Sequence, residues 1–544
     1  MLNRSDLVCA SRVCAMLIML LAGGCARAGQ SGNVADIPTL DVPSGVNSAQ
    51  SANPSTSSTP SPETTTTPAS TAEAEAQALA QAQALAQTNS LPHLGTPPER
   101  PLYVLNVSLD YEQGLINAQQ RIEFKNPTNL SVDELKFSVP PARRANALTF
   151  RDARIYGAKQ PLQYELNGPV LTVKLPAALE PDKAIAITFD FTVQVPLQEA
   201  ITGIGGDDTS RGPNAMMAGH WYIVLPPFTN GNWDLPEYVP VGDPFTSELA
   251  DFEVSILAPE DVTIAAGGDE TRDGRLWRYS LPKARVFAFA ASDVYVVDEM
   301  SENGVTYVHY GFPRHQKFAE DVMFTAQRTV ELFGRLYGPY IYKTLRIVET
   351  DRAQGQEYSG MVAIGAVLYQ NYSGRGGRHD VIATTAHEVA HQWWFNVVGN
   401  DQVRTPWLDE TFARYGELKF YQEYYPNDVD WWYTRYIEGR RPPKGAIDMT
   451  IYDYADAQAY VDAVYRNGVE FMRAVRDVVG RETLDEILRD YYQTESYKIS
   501  TPDAFFDAIA RHSSEDISGI VKAYFAREVT LPCKISANVV GCRP

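Results

Sequence analysis

His387-Glu388-Val389-Ala390-His391, followed after 18 intervening residues by Glu410, is the most specific motif in this 544-residue chain. Two histidines at positions i and i+4 lie on one face of a helix, so both imidazoles can bind the same cation. A catalytic zinc ion takes three protein ligands and keeps one position open, and two His plus one Glu is a known set. Glu388 is placed to take a proton from the attacking water. We therefore predict one Zn²⁺ held by His387, His391 and Glu410, with Glu388 as the catalytic base.

The sequence around the two histidines is apolar at helical spacing, as in Ile382, Ala386 and Trp393. This pattern predicts a helix over residues 381–398 with Asp380 as its N-cap. A second helix, starting after Pro406, is predicted to carry Glu410. A structural helix that binds no metal is the alternative interpretation.

The same segment resembles a known family. Residues 387–396, HEVAHQWWFN, and residues 407–410, WLDE, resemble the HExxHQWxxN and W-L-N/D-E runs of the zinc aminopeptidases that include aminopeptidase N and leukotriene hydrolase. The resemblance covers roughly residues 100–530 and implies a short bacterial form of this gluzincin family. It implies a thermolysin-like zinc peptidase domain that acts on peptides with a free N-terminus.

The resemblance also implies a substrate-binding loop. Residues 355–362, GQEYSGMV, are similar to the family's G-x-M-E-N loop in its bacterial M-E-Y-P-G form. Glu357 then holds the substrate's α-amine, and Gly360 belongs to the same substrate-binding loop. An alternative register places Val362 on the amine-binding position. The family's second amine anchor, from its N-terminal domain, has no recognisable counterpart in this sequence.

A tyrosine completes the implied catalytic set. Residues 465–468, YRNG, resemble the family's Y-E-K-G, which implies that Tyr465 stabilises the tetrahedral intermediate. A core aromatic is the alternative role for Tyr465. Asn396 is expected either to support the metal site from its second shell or to tether a loop.

The periodicity of the chain changes near residue 297. Residues 97–296 alternate apolar and polar positions between turn residues, which predicts an N-terminal antiparallel β domain. Residues 297–530 predict a mainly helical domain, which the family resemblance implies is the thermolysin-like zinc peptidase domain, and residues 531–544 a C-terminal tail. The fold class is thus α+β multidomain. The principal predicted elements of the second domain are helices over 318–337, 381–398, 407–424, 457–479 and 482–492 and strands over 344–349 and 362–369.

The N-terminus predicts export. Arg4 and Arg12 flank the start of a short apolar run that ends in small residues before Cys25, so residues 1–25 resemble a bacterial lipoprotein signal with Cys25 as the lipidated residue. An ordinary signal peptide, cleaved for instance after Ala28, is the alternative. Residues 26–96, rich in Ser, Thr, Pro, Ala and Gln, predict a disordered linker. The chain is therefore expected to be exported and held by a lipid at the bacterial cell envelope, facing outside the cytoplasm.

Charge and cysteine content limit the partners. The net charge of −20 argues against binding to nucleic acid and against direct adhesion to anionic lipid. Cys533 and Cys542 are expected either to form a disulfide in an oxidising compartment or to remain a free-thiol pair. Because the chain stops near residue 544, we expect it to lack the large C-terminal helical domain of the longer family members. This predicts a more open site, which an oligomeric partner could complete, although the oligomeric state itself stays open.

Three functions remain in competition. The leading hypothesis is a surface-tethered zinc aminopeptidase that trims peptides outside the cytoplasm. A zinc endopeptidase that does not require a free amine is the second hypothesis, and a non-catalytic peptide-binding lipoprotein is the third.

Overall fold

The computed structural model describes residues 80, 81, 84, 99–198, 209–374, 376–439, 441–536 and 541–543. The predicted signal segment and Cys25 lie outside these residues, as does nearly all of the predicted linker. Ala80, Gln81 and Ala84, within the linker range, are helical and exposed.

The N-terminal part of the described chain consists of strands. Alternating apolar residues make this possible, since Ile187, Phe189 and Phe191 project from one side of a strand and are fully buried. The strands are β1 (Leu102–Asp110), β2 (Leu115–Lys125), β3 (Val132–Ser138), β4 (Leu148–Ile155), β5 (Gln163–Asn167), β6 (Val170–Leu179), β7 (Ala184–Gln194), β8 (Ser210–Arg211), β9 (Met216–Ala218), β10 (Phe228–Thr229), β11 (Asn232–Trp233), β12 (Ala250–Leu257), β13 (Thr263–Ala266), β14 (Asp269–Asp273), β15 (Leu276–Ala284) and β16 (Phe289–Ser292).

Seven of these strands form one sheet, in the order β14-β15-β12-β1-β2-β7-β4. Its neighbours are antiparallel except for β1 and β12, which run parallel with Leu105 opposite Val254. Smaller sheets, β3-β6-β5, β13-β16-β9-β8 and the pair β10-β11, complete this part. The predicted β-rich N-terminal part followed by a mainly helical part is confirmed.

A five-stranded sheet leads into the helical part, in the order β17-β18-β19-β21-β20. Its strands are β17 (Val296–Glu302), β18 (Val305–Gly311), β19 (Thr344–Thr350), β20 (Gln356–Tyr358) and β21 (Met361–Gly365), and a separate pair is formed by β22 (Gly399–Asn400) and β23 (Ile499–Ser500). The short strand β20 lies at the edge of this sheet and is paired with β21 on one side. No described strand of the sheet covers its other edge.

The helices pack around one large apolar core. They are α1 (Ala319–Leu336), α2 (Asp380–Ala390), α3 (Trp407–Tyr424), α4 (Val429–Tyr433), α5 (Ala457–Tyr460), α6 (Gly468–Val479), α7 (Arg481–Glu495), α8 (Pro502–His512) and α9 (Ser518–Tyr524). Two π-helical segments, Thr434–Glu438 and Val461–Asn467, lie between α4 and α6. Short 3-10 turns occur at Pro140–Arg143, Gln316–Phe318, Ala366–Tyr369, Pro426–Asp428 and Cys533–Ile535.

Three predicted elements differ from the observed ones. The helix predicted over 381–398 ends at Ala390, because Trp393 and Trp394 turn into the core and Phe395 has a positive φ of 141°. The strand predicted over 362–369 changes to a 3-10 turn after Gly365. The helix predicted over 457–479 is interrupted by the π-helical segment Val461–Asn467.

Cys533 and Cys542 form a disulfide that closes a loop of the C-terminal tail. Of the two alternatives that the sequence left open, a disulfide or a free-thiol pair, the structure has the disulfide. Within the described residues, every helix is too short or too polar to cross a bilayer.

Candidate metal centre

The helix α2 starts from an unexpected cap. His379, in extended conformation, is its N-cap, and His379 Nδ1 accepts a hydrogen bond of 3.3 Å from the Val381 N–H. The prediction of Asp380 as the N-cap is wrong, because its carboxylate is taken up by other donors. Arg435 Nη2 and the Tyr436 hydroxyl donate to Asp380 at 2.7 and 2.6 Å. These contacts attach the start of α2 to the π-helical segment Thr434–Glu438.

The end of α2 presents two imidazoles. His387 lies in its last turn and His391 is its C-cap. His391 Nδ1 is 2.9 Å from the Trp394 carbonyl oxygen, which can only accept, so Nδ1 carries the hydrogen and Nε2 keeps its lone pair. His387 Nδ1 faces Glu417 Oε2 at 3.5 Å. The Nε2 atom of His387 therefore points towards His391 Nε2, as required of a second metal ligand.

Three donor atoms converge. His387 Nε2 and His391 Nε2 are 3.3 Å apart, and Glu410 Oε2 lies 3.2 Å from the first and 3.4 Å from the second. Ligands held tetrahedrally at zinc distances of about 2.0–2.1 Å are about 3.3 Å from one another. The three residues therefore fit Zn²⁺ in both donor type and spacing, and all three are buried.

Glu410 reaches this point from the first turn of α3, which starts after Pro406. Burial acts to raise the pKa of the Glu410 carboxyl, but hydrogen bonds with His387 and His391 outweigh it and hold the pKa well below its usual range. Glu410 is therefore an anionic ligand, as a divalent cation requires.

Glu388 lies beside the three donors and is only 5% exposed. Burial raises the pKa of its carboxyl to about 7, against the opposing charges of His387 and His391. Such a value suits a group that takes and returns a proton near neutral pH. A Cβ atom on Gly355 would meet Glu388 Oε1 at 2.1 Å and Thr384 Cγ2 at 2.6 Å. Only glycine fits there, so the Gly355 backbone packs directly on the carboxylate.

Tyr465 completes the centre. Its hydroxyl donates a hydrogen bond to Glu410 Oε1, and its ring stacks on His387 with centroids 5.7 Å apart. Burial, followed by the charge of Glu410, raises the pKa of the Tyr465 hydroxyl well above its ordinary value. Tyr465 therefore stays protonated and remains a hydrogen-bond donor.

The π-helical segment Val461–Asn467 sets the position of Tyr465. Thr411 Oγ1 donates to the Val464 carbonyl at 2.6 Å, which joins the segment to α3. A Cβ on Gly468 would meet Thr411 Oγ1 at 2.1 Å, so glycine allows this close approach. Insertions of this type into helices are frequent at functional sites.

The predicted substrate-binding residues occupy different places. Glu357 lies on β20, is 6% exposed, and comes together with Glu388 and His391 in one cluster of potential ligand atoms within 4.8 Å of one another. Val362, the residue of the alternative register, lies opposite Glu357 on β21 in the apolar core. Gly360 forms the turn between the two strands with a φ of +72°, and its N–H donates to Gln392 Oε1 at 2.9 Å. Gly360 thus shapes the loop, whereas Glu357 reaches the metal centre.

Asn396 tethers a loop. It is fully buried, its Nδ2 donates to the Tyr342 hydroxyl at 3.1 Å, and its backbone N–H donates to the His391 carbonyl at 3.0 Å. It thereby fixes the turn that follows the second histidine.

Sequence reasoning missed two carboxylates near the centre. The first is Glu417, fully buried two turns after Glu410 on α3, which accepts hydrogen bonds from Arg414 and Trp432 while facing His387. Its signal was the i+7 spacing from Glu410, which places both residues on one helix face.

The second is Asp243, which lies 114 positions before Glu357 in the chain and had no local signal. It belongs to the connection between β11 and β12 and accepts a hydrogen bond from Gln356 Nε2. Burial, followed by the charge of Glu410, raises the pKa of the Asp243 carboxyl to about 6. The arrangement as a whole is a potential metal site with a carboxylate suited to act as a base, Glu388, a phenolic donor, Tyr465, and two further buried carboxylates, Glu357 and Asp243.

Comparison with known proteins agrees with this geometry. Residues 325–524 match the peptidase family M1 domain. The chain is 24% identical over 301 residues to "Aminopeptidase M1" of Arabidopsis thaliana, an alignment that spans 51% of this chain and 34% of that protein. It is 25% identical to "Aminopeptidase N" of Lactobacillus helveticus over 39% of this chain and 26% of that protein. The matched segment is therefore about a third or less of the length of these relatives.

Solved structures extend the likeness to the fold of most of the chain. An M1 zinc metallopeptidase from Deinococcus radiodurans superposes with a TM-score of 0.58 at 16% identity, covering 82% of this chain and 96% of that chain. A variant of the same enzyme bound to a Tyr-Ser-Ala substrate superposes with a TM-score of 0.56 at 14% identity, over 81% and 95% of the two chains.

Proposed function

We propose that this chain, which belongs to peptidase family M1 through its domain at residues 325–524, is a zinc-dependent aminopeptidase that removes N-terminal residues from peptides. The observation that carries the proposal is the spacing of the three donor atoms, 3.2, 3.3 and 3.4 Å, with Glu388 and Glu357 beside them. Its named relatives include aminopeptidases from plants and bacteria.

His387, His391 and Glu410 would hold the metal. Bound there, Zn²⁺ supplies Lewis-acid catalysis, polarising the scissile carbonyl and lowering the pKa of water. Glu388 takes one proton from the attacking water as its oxygen bonds to the carbonyl carbon. Glu388 then gives this proton to the leaving nitrogen as the C–N bond breaks, which yields a free amino acid and a peptide shortened by one residue.

Tyr465 acts on the charge that develops at the carbonyl oxygen. Its hydroxyl is held beside the metal ligands and is protonated, so it can donate a hydrogen bond to the oxyanion. This contact strengthens as negative charge forms, which is how a donor lowers a barrier rather than only binding substrate.

Glu357 accounts for the preference for a free N-terminus. Its buried carboxylate binds the α-ammonium group of the first residue through a charge-assisted hydrogen bond. An acetylated N-terminus carries no charge and would leave this carboxylate without its partner. Glu357 thus sets how far the chain can enter before the scissile bond meets Glu388.

The test compares free and N-acetylated peptides with the zinc-loaded protein. We expect hydrolysis of free peptides only, loss of hydrolysis after chelation with recovery on zinc addition, and a decrease in kcat of about 10²–10⁴-fold in Glu388→Gln. Equal cleavage of acetylated peptides would instead establish an endopeptidase. Zinc binding without hydrolysis of any peptide would establish a peptide-binding protein.

We propose, from the sequence alone, that the enzyme works outside the cytoplasm on a lipid anchor at Cys25. The support is the short apolar run before small residues and Cys25, together with the Ser/Thr/Pro-rich residues that follow. Metabolic labelling with an alkyne fatty acid tests it. We expect label in the wild-type chain and none in Cys25→Ser, and an unlabelled wild type would contradict the anchor.

A further inference from the structure

Arg414 is a cation placed among the acids of the metal centre. It follows Glu410 by one turn of α3, so the two side chains leave the helix on the same face. Arg414 Nη1 donates a hydrogen bond to Glu417, the carboxylate that faces His387 Nδ1 at 3.5 Å. Its side chain is only 16% exposed. Arg414 is therefore connected to a metal ligand through one buried acid.

Two aromatic rings hold the guanidinium group. Its central carbon lies over the ring of Tyr465, 5.4 Å from the centroid, and over the ring of Tyr436, 5.1 Å from the centroid. Contacts of this kind are favourable for a guanidinium cation and occupy its faces, so its hydrogen bonds are made at its edges. Burial acts to lower the pKa of Arg414, but the charge of Glu417 and the neighbouring tyrosines outweigh it and raise the pKa. Arg414 therefore stays charged.

Part of the guanidinium edge has no partner in the protein. Among the described residues, Nη1 is the only nitrogen of Arg414 that donates a hydrogen bond, and Nε is buried without a partner. The Nε–H and one Nη2–H bond of an arginine form a fork that matches the two oxygens of a carboxylate. Arg435 uses these same two nitrogens to bind Asp380, at 3.0 and 2.7 Å. The unused fork of Arg414 is therefore suited to a carboxylate from outside the chain.

Arg414 and the amine-binding carboxylate lie beside different metal ligands. Glu357 comes together with His391 in one cluster of potential ligand atoms. The two neighbours of Arg414, the acid and the first tyrosine described above, face and stack on the other imidazole, that of His387. A substrate with its amine at Glu357 and its first carbonyl at the metal position must continue away from Glu357. Its second residue is therefore expected to enter on the Arg414 side.

The charge of Arg414 also reaches the catalytic base. Burial raises the pKa of the Glu388 carboxyl, and Arg414 is one of the cations that oppose this rise. In the proposed mechanism Glu388 returns its proton to the leaving nitrogen, which belongs to the second residue of the substrate. The groups that surround Glu388 on this side are therefore the ones that this second residue meets.

We propose that Arg414 is a specificity-determining residue that binds a carboxylate on the residue following the scissile bond. The inference rests on the proposed function and names its preferred substrates. The carboxylate accepts hydrogen bonds from Nε and Nη2, and it comes either from an Asp or Glu side chain or from the C-terminus of a dipeptide. Glu417 and the two rings hold the guanidinium before the substrate arrives, so little conformational freedom is lost on binding. A second residue without a carboxylate leaves the fork unpaired.

The test uses the zinc-loaded full chain and two pairs of substrates that share leucine as their first residue. Leu-Glu-NH₂ and Leu-Gln-NH₂ differ in the charge of the second side chain, whereas Leu-Ala and Leu-Ala-NH₂ differ in the C-terminal carboxylate. A hydrogen bond to a charged group contributes enough for kcat/KM to be about 10- to 100-fold higher for the carboxylate member of at least one pair. The pair that shows this preference identifies the source of the carboxylate.

Variants assign the preference to the arginine. Arg414→Gln should reduce the ratio of the two kcat/KM values to within twofold of one. This variant leaves the fully buried Glu417 without the Arg414 cation, so the double variant Arg414→Gln/Glu417→Gln, which removes both charges, is measured beside it and should also lose the preference. Glu417→Gln alone keeps the arginine and should keep the preference.

The matched control is Arg335→Gln, which removes a surface arginine paired with Glu423 and should show the wild-type preference. A ratio between two substrates of one protein does not depend on the fraction of that protein that is folded and zinc-loaded. A loss of the ratio in Arg414→Gln is therefore distinct from a general loss of activity.

Two results would overturn the inference. One is a wild-type ratio of two or less for both pairs, and the other is a preference that is unchanged in Arg414→Gln, which would place the carboxylate on another residue. Failure of the proposed function looks different, because the wild-type protein would then hydrolyse none of the four substrates.

Discussion

The backbone of Gly355 lies against the carboxylate of Glu388, so closely that a Cβ atom at residue 355 would be 2.1 Å from Glu388 Oε1. Gly355 comes two residues before Glu357, so the segment that carries Glu357 also positions Glu388. In the proposed mechanism, one short segment of backbone therefore couples substrate binding to proton transfer.

This contact predicts the effect of Gly355→Ala. The added methyl group forces Glu388 out of its position, so we expect kcat to fall about 10²–10⁴-fold, the range that a general base contributes. Zinc content should stay at one ion per chain, since the three ligands are not touched. The control is Gly334→Ala, at a helical glycine with open space around it. Wild-type kcat in Gly355→Ala would show that the contact does not position Glu388.

The variant Tyr465→Phe removes the phenolic donor and keeps the ring that stacks on His387. We expect kcat to fall about 10²–10³-fold with little change in KM, because the hydroxyl acts on charge that forms only in the transition state. Steady-state kinetics on leucine p-nitroanilide measures both constants. Tyr164→Phe, at an exposed tyrosine, serves as the control. An effect limited to KM would place the hydroxyl in substrate binding instead.

The buried Glu417 faces His387 Nδ1 at 3.5 Å, so we expect it to support metal binding through His387. Replacing it by Gln removes the negative charge that faces His387 Nδ1, and we expect zinc affinity to weaken about 10- to 100-fold. Competition with a chromogenic chelator measures this affinity. Glu423→Gln, on the same helix and paired with Arg335 at the surface, should bind zinc as the wild type does. Equal affinities in the two variants would remove Glu417 from the site.

A histidine remote from the metal makes stability depend on pH. Burial lowers the pKa of His309 from 6.5 to about 4, so between these values the unfolded chain binds a proton that the folded chain does not. Stability is therefore lost as the pH falls from about 6.5 to about 4, by an upper limit of roughly 3 kcal/mol. His309 is fully buried, and its Nε2 lies 3.1 Å from the Tyr369 hydroxyl.

The measurement compares urea unfolding at pH 7.5 and pH 4.5. His309→Gln should lose less stability than the wild type over this interval, although it is less stable at pH 7.5. His512→Gln, at a more exposed histidine, is the control and should follow the wild type. Parallel losses in the wild type and in His309→Gln would show that His309 does not titrate in this way.

The metal site was accessible to sequence analysis because its chemistry is local. His387 and His391 lie one helical turn apart, and Glu410 lies in the first turn of the next helix, which begins after Pro406. The spacing along the sequence is therefore enough to identify the three ligands. Tyr465 and Glu357 needed a family resemblance, because no short-range pattern distinguishes them from a core tyrosine and a loop acid. The observed bounds of α3, Trp407–Tyr424, are those predicted from its pattern.

What sequence analysis missed depends on tertiary contacts. Helix α2 ends where Trp393 and Trp394 pack into the apolar core. The hydrophobic periodicity of the sequence does not specify this end point. The sequence pattern of Val461–Asn467 is that of an α-helix, because a π-helix differs from an α-helix in its backbone hydrogen-bond register. Asp243 lies in the connection between β11 and β12, more than a hundred residues before Glu357, and only folding brings the two carboxylates to the same donor, Gln356 Nε2.

The proposed function requires one zinc ion bound by two imidazoles and one carboxylate, those of His387, His391 and Glu410. Zinc-edge anomalous diffraction from crystals of the zinc-supplied wild-type protein measures this directly. We expect a single strong peak enclosed by His387 Nε2, His391 Nε2 and Glu410 Oε2. Crystals without a peak between these three atoms, or with zinc bound only elsewhere, would contradict it.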